Sequence, residues 1–214
     1  MVTILPVSTD SPVGVSVAAP MVREGSRRGV VMGFTGELVF GRSERPLLEA
    51  PVFGGAQEDD EGRIGAWPPR PGGWQTLQFH RCLPADPEAV LRAVVEWTGA
   101  PACVASVHDG DVALVMGLEP GGDRWDAWLN LRTAAAMTDR PLAELDARVP
   151  EDAAGVLSWA WDSGFGEHVD APAIETVLRS HAPFVEELFD TLLNQLGFPP
   201  APAPAPAPEP NPTE

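Results

Sequence analysis

Residues 101–119 read PACVASVHDGDVALVMGLE, and this stretch decides how the rest of the sequence is interpreted. Two apolar runs, ACVASVH and DVALVMGL, flank the dipeptide Asp109-Gly110. An Asp-Gly pair tolerates the two positive φ angles of a type I′ turn, so the segment predicts a β-hairpin. Because both flanking runs are continuous and apolar, we expect the hairpin to lie in the centre of a sheet.

Three further segments predict strands that would join this hairpin. Residues 31–41, VMGFTGELVFG, are rich in β-branched and aromatic side chains with apolar residues at period-two spacing. Residues 74–83, WQTLQFHRCL, also alternate, and residues 124–131, RWDAWLNL, predict one more strand. The intervening residues 44–73 contain an acidic run and a PPRPGG break, so they are interpreted as a loop.

Helical patterns lie mostly in the C-terminal half of the chain. In the first of them, Asp86 suits the N-cap, Pro87 suits the first helical position and Gly99 suits the helix end. Further helices are expected over residues 134–137, 150–161, 173–181 and 183–196. The last of these helices has an apolar stripe made of Val185, Leu188, Phe189, Leu192 and Leu196.

The order of these elements, strands first and helices last, predicts an α+β fold. We expect an antiparallel sheet of about four to five strands with helices packed on one face, three of them C-terminal. Residues 1–30 show no periodicity and are predicted to be a disordered leader, while residues 31–198 form a single α+β domain. Residues 199–214 alternate Pro with Ala and predict an extended, disordered tail.

The charge of the chain restricts its partners. It carries 31 acidic and 14 basic residues, for a formal net charge of −17. Such a chain repels phosphate backbones and anionic membranes, so we expect no nucleic-acid or membrane partner and favour a protein partner, possibly a basic one. Two cysteines and the absence of a basic n-region before the first apolar residues favour a cytoplasmic protein.

A metal site is the first chemistry to weigh, because two histidines lie close to the two cysteines along the chain. His80, Cys82, Cys103 and His108 are the weak candidate ligands. Cys103 and His108 are five residues apart in one predicted strand and therefore point to opposite faces. The favoured interpretation is two buried cysteines in neighbouring strands, with no metal and no cofactor.

Nucleophilic catalysis and phosphate binding have weaker support. The loop from Asp162 to His168 contains an acid, Ser163 and an imidazole, but the serine is not in a G-x-S-x-G elbow. The favoured interpretation is the C-terminus of a helix, ended by Gly164 or Gly166. No glycine-rich phosphate loop occurs between a strand and a helix. The catalytic residues therefore stay unknown from the sequence.

Tryptophans and acidic residues are the weak candidates for partner binding. Trp159 and Trp161 are two residues apart on a predicted helix, about 200° around its axis, so both cannot lie on one narrow stripe. An exposed indole beside acidic residues could anchor a partner. The candidate residues are Trp125, Trp128, Trp159, Glu58, Asp59, Asp60 and Glu61.

Several segments resemble those of small uncharacterised actinobacterial proteins. These segments are GRSERPLLEAPVF, GAPACVASVHDGDVALVMGL, RWDAWLNL and PFVEELFDTLLNQLGF. The resemblance covers roughly residues 32–198. It implies one intact domain between a disordered leader and tail, and it carries over no activity and no site residues.

Three functions remain open. The first is a non-catalytic acidic protein-interaction module, such as an immunity-type or regulatory binding protein. The second is a small hydrolase or tailoring enzyme, which would need a pocket where His80, His108, His168 or His181 meets an acid. The third is a structural component of a larger protein assembly, with the Pro-Ala tail as a spacer.

Overall fold

The computed structural model describes residues 33–56, 63–80, 83–167, 169–198 and 200. The expected leader, the tail apart from residue 200, the acidic run at residues 58–61, Cys82 and His168 lie outside the described residues. Six strands form one antiparallel sheet in the described part: β1 (Gly36–Arg42), β2 (Ile64–Ala66), β3 (Trp74–Phe79), β4 (Ala102–His108), β5 (Val112–Leu118) and β6 (Arg124–Leu129).

The predicted hairpin is confirmed and lies inside the sheet. The strand order is β2-β3-β1-β4-β5-β6, so neither β4 nor β5 is an edge strand. At the turn between them, Asp109 and Gly110 have φ angles of 53° and 69°. Two consecutive positive φ angles are what a type I′ turn requires, and they let β4 and β5 pair along their whole length.

The strand β2 corrects the expectation of a continuous loop over residues 44–73. It has three residues and pairs with the outer side of β3, which brings the sheet to six strands rather than four to five. A strand of three residues is too short to show a period in the sequence. Its three pairing partners in β3, Phe79, Gln78 and Leu77, are therefore shown only by the structure.

Two short 3-10 helices, Leu47–Glu49 and Pro51–Phe53, lie between β1 and β2. Among the described residues, five α-helices pack on the sheet, and they occupy both faces. They are α1 (Pro87–Thr98), α2 (Leu131–Thr138), α3 (Leu142–Asp162), α4 (Ala171–Arg179) and α5 (Val185–Gln195). The helices α2 to α5 share one apolar core with the first face, while α1 shares a second core with the other face. The expectation of helices on one face was wrong because β1 and β4 bury apolar side chains on both of their faces.

The helix α3 begins earlier than the sequence predicted. It starts at Leu142, and Pro150 lies inside it instead of opening it. The apolar stripe explains this start, because Leu145 and Val149 continue the row formed by Ala153 and Val156 on later turns, and all four are buried. Burial of this row offsets the one backbone hydrogen bond that proline removes.

The predicted ends of α1 are confirmed. The Asp86 side chain accepts hydrogen bonds from the backbone N–H groups of Glu88 and Ala89, at 2.9 and 3.4 Å. Gly99 closes the helix in the left-handed conformation, with φ of 65°. These caps hold α1 in position on the second face of the sheet.

Aromatic rings join the helices to the first face. Phe198 follows α5, and its ring centroid is 5.0 Å from that of Phe40 on β1 and 4.6 Å from that of Trp74 on β3. Trp159 of α3 lies 5.4 Å from the same ring. Beside this cluster the buried Arg70 donates hydrogen bonds to the Phe198 carbonyl and to the Asn194 side chain, at 3.1 and 2.7 Å.

One glycine is required by a close approach between strands. Gly117 of β5 pairs with Trp125 of β6, and the indole of Trp125 lies across the glycine. A Cβ atom added to Gly117 would be 2.0 Å from the Trp125 Nε1 atom. The indole can occupy this position only because residue 117 has no side chain.

We expect Gly117→Ala to lower the free energy of unfolding by about 2 kcal/mol, because the new methyl group overlaps the buried indole. Urea denaturation followed by tryptophan fluorescence measures the change. Gly65→Ala on β2 is the control, since no heavy atom lies within 4 Å of its added Cβ, and it should change the stability by less than about 0.5 kcal/mol. Equal stability of the two variants would contradict the packing argument.

Candidate functional site

The candidate metal ligands are not brought together. Cys103 is buried on the first face of the sheet, His108 is exposed on the second face, and His80 is exposed beyond the end of β3. Burial raises the pKa of the Cys103 thiol, which keeps it neutral. The sequence predicted that the strands with the two cysteines are neighbours. In the structure, β1 lies between β3 and β4. In the part of the chain that the structure describes, no three His, Cys, Asp or Glu residues could hold a metal ion.

The serine loop after α3 is a helix terminus. Ser163 is 8% exposed, and its hydroxyl donates a hydrogen bond of 2.8 Å to the Trp159 carbonyl one turn earlier. Gly164 follows with φ of 84°. The hydroxyl is therefore engaged with the backbone of its own helix, as the helix C-terminus interpretation expects. The histidine of this loop, His168, lies outside the described residues.

Two of the three candidate tryptophans are in the core. Trp125 and Trp159 are 8% and 0% exposed and pack edge to face, with ring centroids 5.7 Å apart. The exposed indole of α3 is that of Trp161, at 52%. Trp128 is half-buried and points to the sheet face opposite Trp125. Of the three candidates, only Trp128 is partly exposed, and it also packs against the first apolar core.

Trp128 ends a transverse row of side chains on the second face of the sheet. The register pairs Glu37 of β1 with Ser106 of β4, Ser106 with Leu114 of β5, and Leu114 with Trp128 of β6. All four residues are half-exposed. We refer to these four residues, Glu37, Ser106, Leu114 and Trp128, as the open face.

The open face is the part of the second face that α1 does not cover. The helix packs on β1, β4 and β5 at the opposite end, where Val39, Val104 and Leu118 are buried. Leu114 lies outside both apolar cores of the described residues. His108 and Asp126 are exposed beside the row, and burial raises the pKa of the Glu37 carboxyl. The open face is thus an apolar pair with a polar border.

A second feature is a cleft at the junction of α2, α3 and α4, organised by Asn130. This residue is 2% exposed and has a left-handed backbone, with φ of 60°. Its Nδ2 donates to the carbonyls of Asp111 and Ala182, at 2.6 and 3.1 Å. Its Oδ1 accepts from the Ala182 N–H at 3.2 Å and lies 2.9 Å from His181 Nδ1. The amide therefore joins the hairpin to the segment between α4 and α5.

These bonds fix the protonation pattern of His181. Both amide hydrogens of Asn130 are directed at carbonyl oxygens, so its Oδ1 is the atom that faces the imidazole. An oxygen acceptor requires a donor, so Nδ1 of His181 carries the hydrogen. In the neutral ring, Nε2 is then the lone-pair acceptor. His181 is exposed and lines the cleft.

A pair of carboxyl groups lies at the end of β5. The pKa of Glu119 is raised to about 7 by burial, by a side-chain hydrogen bond with Asp162, and by the nearby charges of Asp162 and Asp123. Repulsion between two such groups favours one shared proton. The pair links the β5 end to the C-terminus of α3.

Comparisons with protein-family models, with curated proteins and with solved structures found no match. No helix among the described residues is long and apolar enough to cross a membrane. The geometry and charge of the described residues therefore carry the functional argument.

Sequence reasoning missed Leu114, Asn130 and Arg132 as site residues. Leu114 belongs to the same apolar run as buried Val115, and the run does not reveal which residue is left uncovered. Asn130 had a signal, because asparagine between a strand and a helix tolerates the left-handed conformation. Arg132 lines the cleft, and nothing in the sequence points to it apart from its charge.

We expect Asn130→Ala to lower the free energy of unfolding by about 3 kcal/mol, because two carbonyls and one N–H lose their partner and alanine disfavours positive φ. Asp139→Ala separates the two causes, since exposed Asp139 has φ of 52° and its replacement should cost only about 1 kcal/mol. Urea denaturation measures both. An equal loss in the two variants would show that the hydrogen bonds of Asn130 contribute nothing.

We expect the free energy of unfolding to fall as the pH rises from about 5 to 8. The Glu119 carboxyl has a pKa of about 7 when folded and 4.5 as its ordinary value, so the folded state binds more protons across this window. Glu119→Gln should remove about 1 kcal/mol of that fall, whereas Glu96→Gln on the exposed side of α1 should leave it unchanged. Urea titrations at four pH values measure the slopes. Parallel slopes in wild type and Glu119→Gln would refute the shared proton.

Proposed function

We propose that this protein is a non-catalytic binding protein, of immunity or regulatory type, that recognises a positively charged protein partner through the open face. The observation that carries the proposal is the pair Leu114 and Trp128, two large apolar side chains that are partly exposed on the part of the second face that α1 does not cover. Apolar and aromatic side chains surrounded by polar residues are the arrangement that supplies most binding energy in protein interfaces.

The charge of the chain supports a basic partner. Glu37 and Asp126 lie in or beside the open face, and the whole chain has a formal net charge of −17. Such a field accelerates the encounter with a cationic protein and disfavours nucleic acid and anionic lipid. Asp126 is 3.6 Å from Arg148 of α3. Burial raises the pKa of the Glu37 carboxyl, and the nearby His108 opposes part of that rise.

The enzymatic alternative has less support from the cleft. His181 is hydrogen-bonded to an amide, and the acid of the cleft, Asp146, is bonded to Arg179 at 2.9 Å. A general base usually needs a partner that stabilises its charged form, and an amide does this less well than a carboxylate. The assembly alternative depends on a tail that lies outside the described residues, so no observation favours it.

We expect Leu114→Arg to weaken binding of the partner by at least about tenfold, because it places a charge in the apolar centre and repels a cationic surface. The partner is isolated on immobilised wild-type protein, identified by mass spectrometry, purified, and titrated against each variant by calorimetry. Affinity for wild type should fall as salt is raised.

Met137→Arg is the matched control, because it adds the same charge at another exposed apolar residue, which is 45% exposed on α2. It should bind the partner as wild type does. The proposal fails if Leu114→Arg and Met137→Arg bind equally well, or if wild type retains no stoichiometric partner. Urea denaturation of both variants verifies that they are folded.

A further inference from the structure

The cleft beside Asn130 is independent of the open face and has the size of a small-molecule site. It lies between the first turn of α2, the first turns of α3 and the C-terminal end of α4. Its volume is about 520 Å³. Clefts of about 300 to 1,000 Å³ are typical of small-ligand sites in proteins.

The lining of the cleft divides into two chemically different parts. Leu131, Leu142 and Ala143 form an apolar part, and Leu142 is 42% exposed at its rim. The polar part is formed by Asn130, Arg132, Thr133, Asp146, Arg179, Ser180 and His181. A ligand that fits both parts has a small apolar body and one strongly polar group.

The cation without a direct partner in the cleft is Arg132. Arg179 already donates to Asp146 at 2.9 Å and to Glu175 at 2.6 Å, so its guanidinium is paired with two acids. Among the described arginines, Arg132 is the one whose guanidinium has no ion pair, hydrogen bond or ring contact. An exposed cation without a partner in so acidic a chain favours an anionic ligand.

His181 adds a second requirement. Its Nε2 is an acceptor in the neutral ring, because Nδ1 donates to the fixed Asn130 Oδ1. The ligand should therefore offer an anionic oxygen to Arg132 and a proton to Nε2. Phosphate monoesters meet both needs: their second ionisation lies near pH 6, so the free ester is mostly a dianion at neutral pH, and one proton taken up from solvent on binding can lie between the phosphate and the imidazole.

We propose that this cleft binds a small phosphate monoester with an apolar body, held by Arg132 and by His181 Nε2. Arg132 contacts the anionic oxygens, and Nε2 shares with the phosphate the one proton that is taken up on binding. The apolar part, formed by Leu131, Leu142 and Ala143, covers the carbon body of the ester. Asn130 holds the imidazole in the orientation that presents Nε2.

The test is an NMR titration of the full chain with phenyl phosphate at pH 7, with phenyl sulfate as the matched ligand. Phenyl sulfate has the same apolar body and an anionic group, but it takes up no proton near pH 7 and carries one negative charge where phenyl phosphate carries nearly two. We expect phenyl phosphate to shift the backbone amide signals of Leu131, Arg132 and Thr133 and to bind at least about tenfold more tightly than phenyl sulfate. Inorganic phosphate should bind more weakly than phenyl phosphate, because it leaves the apolar part uncovered.

Variants of Arg132 and His181 test the two proposed contacts with the phosphate separately. Arg132→Gln should weaken phenyl phosphate binding by about tenfold, while Arg92→Gln on α1, which also removes an exposed guanidinium, should not change it. His181→Gln should reduce the preference for phosphate over sulfate to the part that the larger charge of the phosphate provides at Arg132, and an unchanged preference would contradict the shared proton. The proposal is overturned if phenyl phosphate causes no shift in the cleft at about 10 mM, if Arg132→Gln binds as Arg92→Gln does, or if phenyl sulfate binds equally well to wild type.

Discussion

The ring of Phe198 is the contact on which the helical side of the protein depends. It lies against Phe40 and Trp74 of two adjacent strands and against Trp159 of α3, with centroid distances of 4.6 to 5.4 Å. Buried Arg70 donates to the Phe198 carbonyl from the loop before β3. Because these residues come from distant parts of the chain, the end of α5 is fixed to the sheet only when β1, β3 and α3 are already in place.

The second face of the sheet is wider than α1, the one α-helix of the described residues that packs on it. The helix α1 has 12 residues, so it is ~18 Å long and ~10 Å wide. Six strands at ~4.8 Å spacing form a sheet ~24 Å wide. One helix of that size cannot cover such a surface. Leu47, Ala50 and Phe53, from the segment between β1 and β2, share the core of α1 and cover a further part, so the open face is the part that both leave uncovered. Its apolar centre is left at β5 and β6.

The parts of the fold that could be predicted are those set by neighbouring residues. The Asp109-Gly110 turn, the Asp86 cap and the apolar stripe of α5 each depend on local chemistry, and each is present. The start of α3, the strand β2 and the face taken by α1 depend on burial against distant residues, which a single sequence does not reveal. The site residues could not be predicted for the same reason. Leu114 and Val115 are both apolar residues of one strand, so their sequence does not show which one is exposed. Asn130 bonds to Ala182, which is 52 residues away.

The net charge of −17 does not conflict with an anion in the cleft, because the two effects act over different distances. At physiological salt the Debye length is about 8 Å, so acids on the far side of the sheet are largely screened from a ligand in the cleft. A ligand oxygen in contact with Arg132 is within about 3 Å of its guanidinium, where the attraction is little screened. Asp146, which lines the cleft, and Glu175 are already bonded to Arg179. Long-range charge therefore determines which macromolecule approaches, and short-range charge determines which small group is held.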